Sequence, residues 1–213
     1  MRVARVALRA VSRAARRASQ ELARERGPFP NYPESIHARG AGFPIRNATV
    51  TTVAPTGTLS ILAGTSGGIE PLFALAYERH VLDGAVLPET HPEFARLARE
   101  GGFDRPEVWA HVKKTGGVRG CAAVPERIRR AFATAADIAP SWHVRMQAAF
   151  QRHVDSAVSK TVNFPKEATK AHVAEAFRSA WEAGCKGITV YRDGSRAGQA
   201  MEKGDCSGPA CVA

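Results

Sequence analysis

The feature that most constrains the fold is a strand, a helix and a second strand that follow one another near the C-terminal end. Residues 157–163 predict a strand, and residues 187–191 predict a second, buried strand closed by a turn at 192–195. Gly184 is the predicted C-terminal cap of the helix between them. The apolar face of that helix is expected to comprise Val173, Ala176, Phe177, Ala180 and Trp181. This alternation predicts an α/β architecture with parallel strands.

Size and composition set the broad class. The chain has 213 residues, of which 44% are hydrophobic and 23% charged, as expected for one globular domain with a core. No apolar run approaches the roughly 18 residues that cross a bilayer, so no membrane partner is expected. The four cysteines follow no secretory signal peptide, which favours a reducing, cytoplasmic location.

The positive charge is concentrated at the start of the chain. The formal net charge is +10, and eight arginines against two glutamates fall within residues 1–26. Residues 2–24 also carry an apolar stripe that predicts a helix ending near Gly27: Val3, Val6, Ala7, Val11, Ala14, Ala18 and Leu22. A solvated basic helix face is the simplest interpretation; attraction to polyanions and a transit peptide are the alternatives.

A short strand and a loop of small residues form the first candidate site. Residues 49–53 are all β-branched and predict a buried strand, which Pro55 stops. The loop that follows could offer backbone N–H groups and hydroxyls to a phosphate. It is not a Walker A loop, because no Gly-Lys-Ser/Thr follows. The residues alone leave open whether it is a phosphate cradle or an ordinary strand-to-helix turn.

The middle of the chain is less informative. Residues 85–136 are weakly periodic and predict short helices and loops. A helix is expected to start near residues 137–141, with a buried face made by Trp142, Met146, Ala149, Phe150 and Val154.

Cysteine spacing points to redox chemistry at the C-terminal end. Cys206 and Cys211 flank a Gly-Pro turn in a predicted flexible tail, residues 197–213, which suits a dithiol that exchanges with a partner. Half of a zinc site is the alternative. Cys121 and Cys185 are interpreted as structural thiols, and His80, His143 and His153 have no metal-ligand spacing, so no metal site is predicted.

Three strings of residues resemble one known family. RNATVTTVAPTGTLSILAGTSGGIEPLFALAYERHVLDG at 46–84 resembles the C-terminal barrel region of the adenosylcobalamin-dependent, class II ribonucleotide reductases. WHVRMQAAFQRHVDSAVSKTVNFP and GCKGITVYRDGSR in residues 137–196 continue the likeness, as does the opening helix with residues 25–30. Only residues 85–136 resemble the family loosely.

The resemblance implies a fold and a reaction. The fold would be the C-terminal portion of a ten-stranded α/β barrel of the ribonucleotide reductase and glycyl-radical-enzyme type. The reaction would convert a ribonucleoside diphosphate to its 2′-deoxy form, with adenosylcobalamin as cofactor and a thioredoxin-like protein as electron donor. The substrate phosphates would lie at a turn matching Pro55, Thr56, Gly57, Thr58 and Leu59, and Cys206 and Cys211 would re-reduce the active-site cysteines.

Two departures from the family limit this hypothesis. Nothing in the chain matches the family's thiyl cysteine, so no catalytic residue is assigned and a complementary N-terminal chain is expected as partner. The Cys-x4-Cys tail looks more like that of the iron-dependent, class I enzymes.

We expect residues 1–196 to be part of the barrel domain, with a basic helix at 1–26, the loop region at 46–84 and terminal units at 137–196. A basic nucleic-acid-binding protein, a redox carrier and a catalytically dead remnant remain the alternatives.

Overall fold

The computed structural model describes residues 2–40, 42–80, 86–195 and 201–202. Its helices are α1 Arg2–Arg26, α2 Gly57–Ala63, α3 Pro92–Glu100, α4 Pro106–Thr115, α5 Glu126–Ala131, α6 Pro140–Gln151 and α7 Lys170–Glu182. Its strands are β1 Ala76–His80, β2 Val86–Thr90, β3 Thr161–Phe164, β4 Thr189–Arg192 and β5 Met201–Glu202. Short 3-10 turns cover Tyr32–Glu34 and Ala135–Asp137. No helix in these described ranges is long and apolar enough to span a membrane.

The chain divides into two compact units. The first comprises Met1–Ile69, Ser141–Val162 and Thr169–Val190, and the second comprises Glu70–Pro140, Asn163–Ala168 and Tyr191–Ala213.

Helix α1 in the first unit confirms the predicted helix and its end, because Gly27 follows at φ +76°. Its C-terminal half is anchored by Ser19, whose hydroxyl donates to the Asn47 side chain (3.1 Å) and accepts from the Asn47 N–H (3.0 Å). The predicted apolar stripe is largely uncovered, with Val3 82% and Val6 66% exposed. The apolar residues do lie on a helix at the predicted spacing, but no described element of the first unit packs over them.

The predicted strand–helix–strand unit is present with shifted bounds. Strands β3 and β4 form a two-stranded sheet with α7 between them in the chain. The helix ends as predicted: Gly184 has φ +75°, its N–H donates to the Trp181 carbonyl (3.0 Å), and the Cys185 N–H donates to the Ala180 carbonyl (2.9 Å). These two bonds satisfy the last turn of the helix as in a Schellman motif.

Two predicted helix faces are partly wrong. On α7, Ala180 is buried but Phe177 is 48% and Trp181 79% exposed. On α6, Ala149 is buried but Trp142 is 49% exposed. Buried polar side chains occupy the inner face of α6 in place of the expected large apolar ones. Periodicity identifies an apolar face, but the described elements leave the two tryptophans of these faces about half or more exposed.

The predicted strand at 49–53 is also wrong. Only Val53 pairs, through a single parallel bridge to Val158. The Val50 N–H donates its hydrogen bond to the Asp155 carboxylate rather than to the carbonyl of a neighbouring strand. It is therefore not available for a strand ladder. The bridge does have the parallel sense predicted for the sheet.

The second unit contains an antiparallel sheet and a helical core. Strand β1 pairs with β2, from Ala76 opposite Thr90 to His80 opposite Val86, and with β5 on its other edge. The expected short helices and loops of residues 85–136 are confirmed by α3, α4 and α5, but β2 was not predicted. Their buried side chains form one core cluster that includes Leu75, Phe94, Ala98, Phe103, Val108, Val112, Val118, Cys121, Val124, Ile128 and Phe132.

Phe94 is the centre of this core. It is 0% exposed, and its ring contacts those of Phe103, Trp109 and Phe132 at centroid distances of 6.0, 5.5 and 5.3 Å. Edge-to-face packing of this kind adds to the free energy gained by burial.

We predict that Phe94→Ala lowers the free energy of unfolding by about 3–5 kcal/mol, because it leaves a cavity at the centre of an aromatic cluster. Urea denaturation followed by circular dichroism measures the change. Phe177→Ala, which deletes the same side chain at a half-exposed position, is the control and is expected to cost about 1 kcal/mol or less. Equal losses in the two variants would contradict the assignment of this core.

Candidate functional site

The inner face of α6 is a row of three polar side chains, four residues apart, that orders the segments beside it. Gln147 donates to the carbonyls of Val158 (3.1 Å) and Gly187 (2.6 Å). Gln151 donates to the carbonyls of Val154 (3.1 Å) and Ser156 (2.9 Å), and its side-chain oxygen accepts from the Lys186 N–H (3.2 Å). Buried amides with several partners fix backbone in one arrangement.

His143 is the third member of this row and contacts a buried lysine. It is 1% exposed, and its Nδ1 lies 2.8 Å from Nζ of Lys160, which is itself 2% exposed. The lysine also donates to the Thr161 carbonyl at 2.6 Å. The sequence left open whether His143 is a core or a surface histidine; the structure places it in the core, beside a lysine 17 residues away that was not predicted.

Asp155 joins the segment held by α6 to the segment that leads to the candidate loop. Its carboxylate accepts from the Val50 N–H at 2.9 Å and from the Arg16 guanidinium at 2.8 Å. Its own N–H donates to the Thr51 hydroxyl at 3.0 Å, and the Lys186 ammonium donates to its carbonyl. One residue, through its side chain and its backbone, therefore ties residues far apart in sequence to a single point.

The ionisation of Asp155 follows from these contacts. Partial burial by itself raises its pKa, but the Val50 N–H and the Arg16 guanidinium stabilise the carboxylate, and the net pKa lies below the ordinary value. Because the folded protein binds this proton less readily than the unfolded chain, the carboxylate stabilises the fold at neutral pH.

Backbone contacts extend this junction to the loop. The Ser156 N–H donates to the Thr51 carbonyl (3.0 Å), and the Ser159 N–H donates to the Val53 carbonyl (2.9 Å). The chain leaving Val53 therefore starts from a fixed position.

The loop itself contains a strained residue. Thr56 has φ +51° and ψ +33°, and it is the non-glycine residue at positive φ in the described ranges. A left-handed conformation is costly for a β-branched side chain, so surrounding contacts must enforce it. The Thr56 hydroxyl accepts from the Gly68 N–H at 2.8 Å, which holds the residue in place.

Glycines at the far side of the loop allow this close approach. A Cβ on Gly67 would lie 2.8 Å from the Pro55 carbonyl oxygen, and one on Gly68 would lie 2.7 Å from that of Ala54. Any larger residue would push the two backbones apart, so the small-residue run after the loop has a steric cause.

Helix α2 begins at Gly57, directly after the strained threonine. The Ser60 N–H donates to the Thr56 carbonyl (2.8 Å), while the Thr56 side chain makes no capping bond. The first N–H groups of a helix have no intrahelical acceptor. Those of Gly57, Thr58 and Leu59 therefore lie at an exposed helix start, with Leu59 65% exposed. Such a start suits an anion with several oxygens.

The remaining predicted site residues divide into two groups. Cys206 and Cys211 lie outside the described residues. Cys121 is buried in the core of the second unit, as expected of a structural thiol. Burial raises the pKa of the Cys185 thiol, so its thiolate is disfavoured. Within the described ranges, no group of three His, Cys, Asp or Glu side chains is assembled that could hold a metal ion.

The described residues thus form an incomplete α/β fold in which a strained loop presents a helix start to solvent. Residues 34–191 match the family model described as the ribonucleotide reductase barrel domain. The chain belongs to the ribonucleotide reductase family.

Relatives and a solved structure agree with this assignment. The chain is 53% identical over 201 residues to a vitamin B12-dependent ribonucleoside-diphosphate reductase of Mycobacterium tuberculosis (strain CDC 1551 / Oshkosh), covering 94% of this chain and 29% of that protein. A protein of the same name from Thermoplasma acidophilum is 48% identical over 188 residues, covering 88% of this chain and 24% of its own length. The alpha subunit of the class Id ribonucleotide reductase of Actinobacillus ureae has the same fold, with a TM-score of 0.72 over 91% of this chain and 34% of that one, at 22% identity. The chain therefore spans about a third or less of the proteins that it matches.

We predict that Asp155→Asn lowers the free energy of unfolding at pH 7 by about 1–3 kcal/mol, because Arg16 and the Val50 N–H lose a charged acceptor. The contribution of the Asp155 carboxylate to the free energy of unfolding is present above its ordinary pKa of about 4. It is lost as the pH falls through the lower pKa that Asp155 has in the folded protein. Urea denaturation at pH 7 and pH 2.5 measures it, and the gap between variant and parent should narrow at the lower pH.

Glu126→Gln is the matched control, because Glu126 is 73% exposed and its pair with Arg130 spans 3.8 Å. Its effect is expected to be small at both pH values. A gap between Asp155→Asn and the parent that stays constant with pH would contradict the role given to the carboxylate.

Proposed function

We propose that this chain supplies the substrate-phosphate-binding part of a ribonucleotide reductase that converts ribonucleoside diphosphates to 2′-deoxyribonucleoside diphosphates. The observation that carries the proposal is the 53% identity, over 94% of the chain, to a protein named as a vitamin B12-dependent ribonucleoside-diphosphate reductase. Residues 1–196 would belong to the barrel domain, whose ten strands would be completed by the rest of the enzyme.

The phosphate site is proposed at Pro55, Thr56, Gly57, Thr58 and Leu59. The exposed N–H groups at the start of α2 would donate to the phosphate oxygens, and the Thr58 hydroxyl would add a donor. Pro55 and the left-handed Thr56 would aim these groups away from the Val53 bridge. The Asp155 junction and the contact from Gly68 would keep the loop preorganised, so little conformational entropy would be lost when the diphosphate binds.

A complementary chain is proposed for the remainder of the barrel. Apolar side chains lie exposed on three helices of the first unit: Val3, Val6 and Val11 on α1, Leu59, Ile61 and Leu62 on α2, and Trp181 on α7. Exposed apolar surface of this extent is typical of a protein interface. The rest of the enzyme would cover it and would also supply the thiyl cysteine.

Adenosylcobalamin is proposed as the cofactor of the complete enzyme on family grounds. When bound, it supplies the radical from which the thiyl is generated. The described residues do not fit the cofactor themselves: they assemble no cluster of metal ligands, and the described thiols are a buried Cys121 and a Cys185 whose pKa is raised. We therefore derive no step through cobalamin in this chain.

Cys206 and Cys211 are proposed as the dithiol that passes electrons from a thioredoxin-like donor to the active site. Two thiols separated by a Gly-Pro turn can reach disulfide distance, and the part of the tail that follows β5 could carry them between donor and substrate site.

The phosphate site predicts a specific spectroscopic response. When the ¹⁵N-labelled chain is titrated with ADP, we expect the amide signals of Gly57, Thr58 and Leu59 to shift, because their N–H groups would donate to the diphosphate. Adenosine should leave them unchanged. Thr58→Val should weaken ADP binding by about 3–10-fold, since it deletes one hydroxyl donor without changing the shape of the side chain.

Thr65→Val is the control, because Thr65 is exposed on the turn after α2 and is not assigned to the site. Equal shifts with adenosine, or no shift at residues 57–59 with ADP, would count against the phosphate site. Salt-sensitive binding of generic DNA without any response to ADP would favour the nucleic-acid-binding alternative.

A further inference from the structure

The first unit contains a second concave site, which shares no residue with the loop at Pro55–Leu59. It is a recess of about 450 Å³ lined by residues of α1, α6 and α7. Its floor is apolar and includes Val144 and Ala148 of α6, both buried. The volume falls within the range of about 300–1,000 Å³ that is usual for small-molecule sites.

Three arginines line this recess. Arg145 on α6 and Arg152, directly after the last residue of α6, lie seven residues apart, and Arg5 lines the recess from α1. The Arg145 guanidinium lies 4.5 Å from the centroid of the Trp142 ring, a stacked position that restricts its orientation. Three like charges around one cavity repel one another unless an anion lies between them.

The polar groups of the lining complete the donor set. Ser141, in the first turn of α6, contributes a hydroxyl, whereas the hydroxyl of Ser179, near the end of α7, already donates to a carboxylate. Among the described residues, no acidic side chain lines the recess. Glu175, which accepts from the Ser179 hydroxyl at 3.2 Å, is outside the lining and pairs with Arg178 at 3.9 Å. The recess therefore offers donors and positive charge on an apolar floor.

We propose that this recess binds a small anion that carries a diphosphate group. Two phosphoryl groups carry roughly three negative charges, which the three arginines would neutralise. Guanidinium groups bind phosphate oxygens in a bidentate manner, and the Ser141 hydroxyl adds a single donor. A recess of this volume among three helices favours a small anion over a nucleic-acid backbone, which binds along an extended basic surface. The chain would then have two anion sites, one on the loop and one among these helices.

The test uses the 213-residue chain and inorganic pyrophosphate, with binding measured by isothermal titration calorimetry. Arg145→Gln and Arg152→Gln should each weaken binding by about tenfold, since each removes one bidentate contact. Arg127→Gln removes the same charge from an exposed position on α5 in the second unit and should change binding by less than about twofold. In the labelled chain, the amides of Ser141 and Ser179 should shift.

Each variant is checked by circular dichroism. If a substitution at Arg145 or Arg152 unfolds the chain, Arg5→Gln, near the exposed start of α1, provides a second measurement of how a recess arginine affects pyrophosphate binding. Four results would overturn the proposal: no pyrophosphate binding, equal weakening in Arg127→Gln, shifts confined to Gly57–Leu59, or unchanged binding in all three recess variants. Shifts confined to Gly57–Leu59 would leave the loop as the anion site and would contradict only the site in the recess.

Discussion

The contacts of one carboxylate, Asp155, hold the first unit in the arrangement that its loop requires. Arg16 on α1, the Val50 N–H and the Lys186 ammonium all meet at this residue, through its side chain or its carbonyl. The segment before the loop forms only one parallel bridge, so a sheet ladder does not fix it. A charge-assisted junction takes the place of that ladder. Because Thr56 is held at a costly backbone conformation, the position of the chain on either side of it must be over-determined.

A second layer of polar contacts supports this junction from the side of α6. Gln147 and Gln151 bind carbonyls on both sides of Asp155 and near the start of β4, while Lys160 lies buried against His143. Buried polar groups are costly unless they are satisfied: the side-chain nitrogens of Gln147 and Gln151 each donate to two carbonyls, whereas the side-chain oxygen of Gln147 is buried without a hydrogen-bond partner among the described residues. The inner face of α6 therefore determines where the loop lies rather than simply filling space.

Local signals in the sequence were sufficient for some of these features. The end of α1 at Gly27, the cap at Gly184 and the break at the loop were all predictable, because each depends on a glycine or proline and its neighbours. Sequence could not predict the Asp155 junction, whose partners are up to 139 residues away, or the polar inner face of α6. The faces of α1 and α7 were misjudged because an apolar stripe does not say what covers it. The chain spans 29% of the length of a relative, and the complementary part of the enzyme proposed above would supply that cover.

The most direct test is reconstitution with a complementary reductase segment. The chain would be mixed with the part of the Mycobacterium tuberculosis relative that lies outside the match, together with adenosylcobalamin, ADP and a dithiol, and dADP formation would be measured. We predict a stable complex, protection of Trp181 and the α1 valines from solvent, and turnover that neither part shows alone. A chain that stays a monodisperse, cooperatively folding monomer, forms no complex and yields no dADP would contradict its assignment as one part of a reductase barrel.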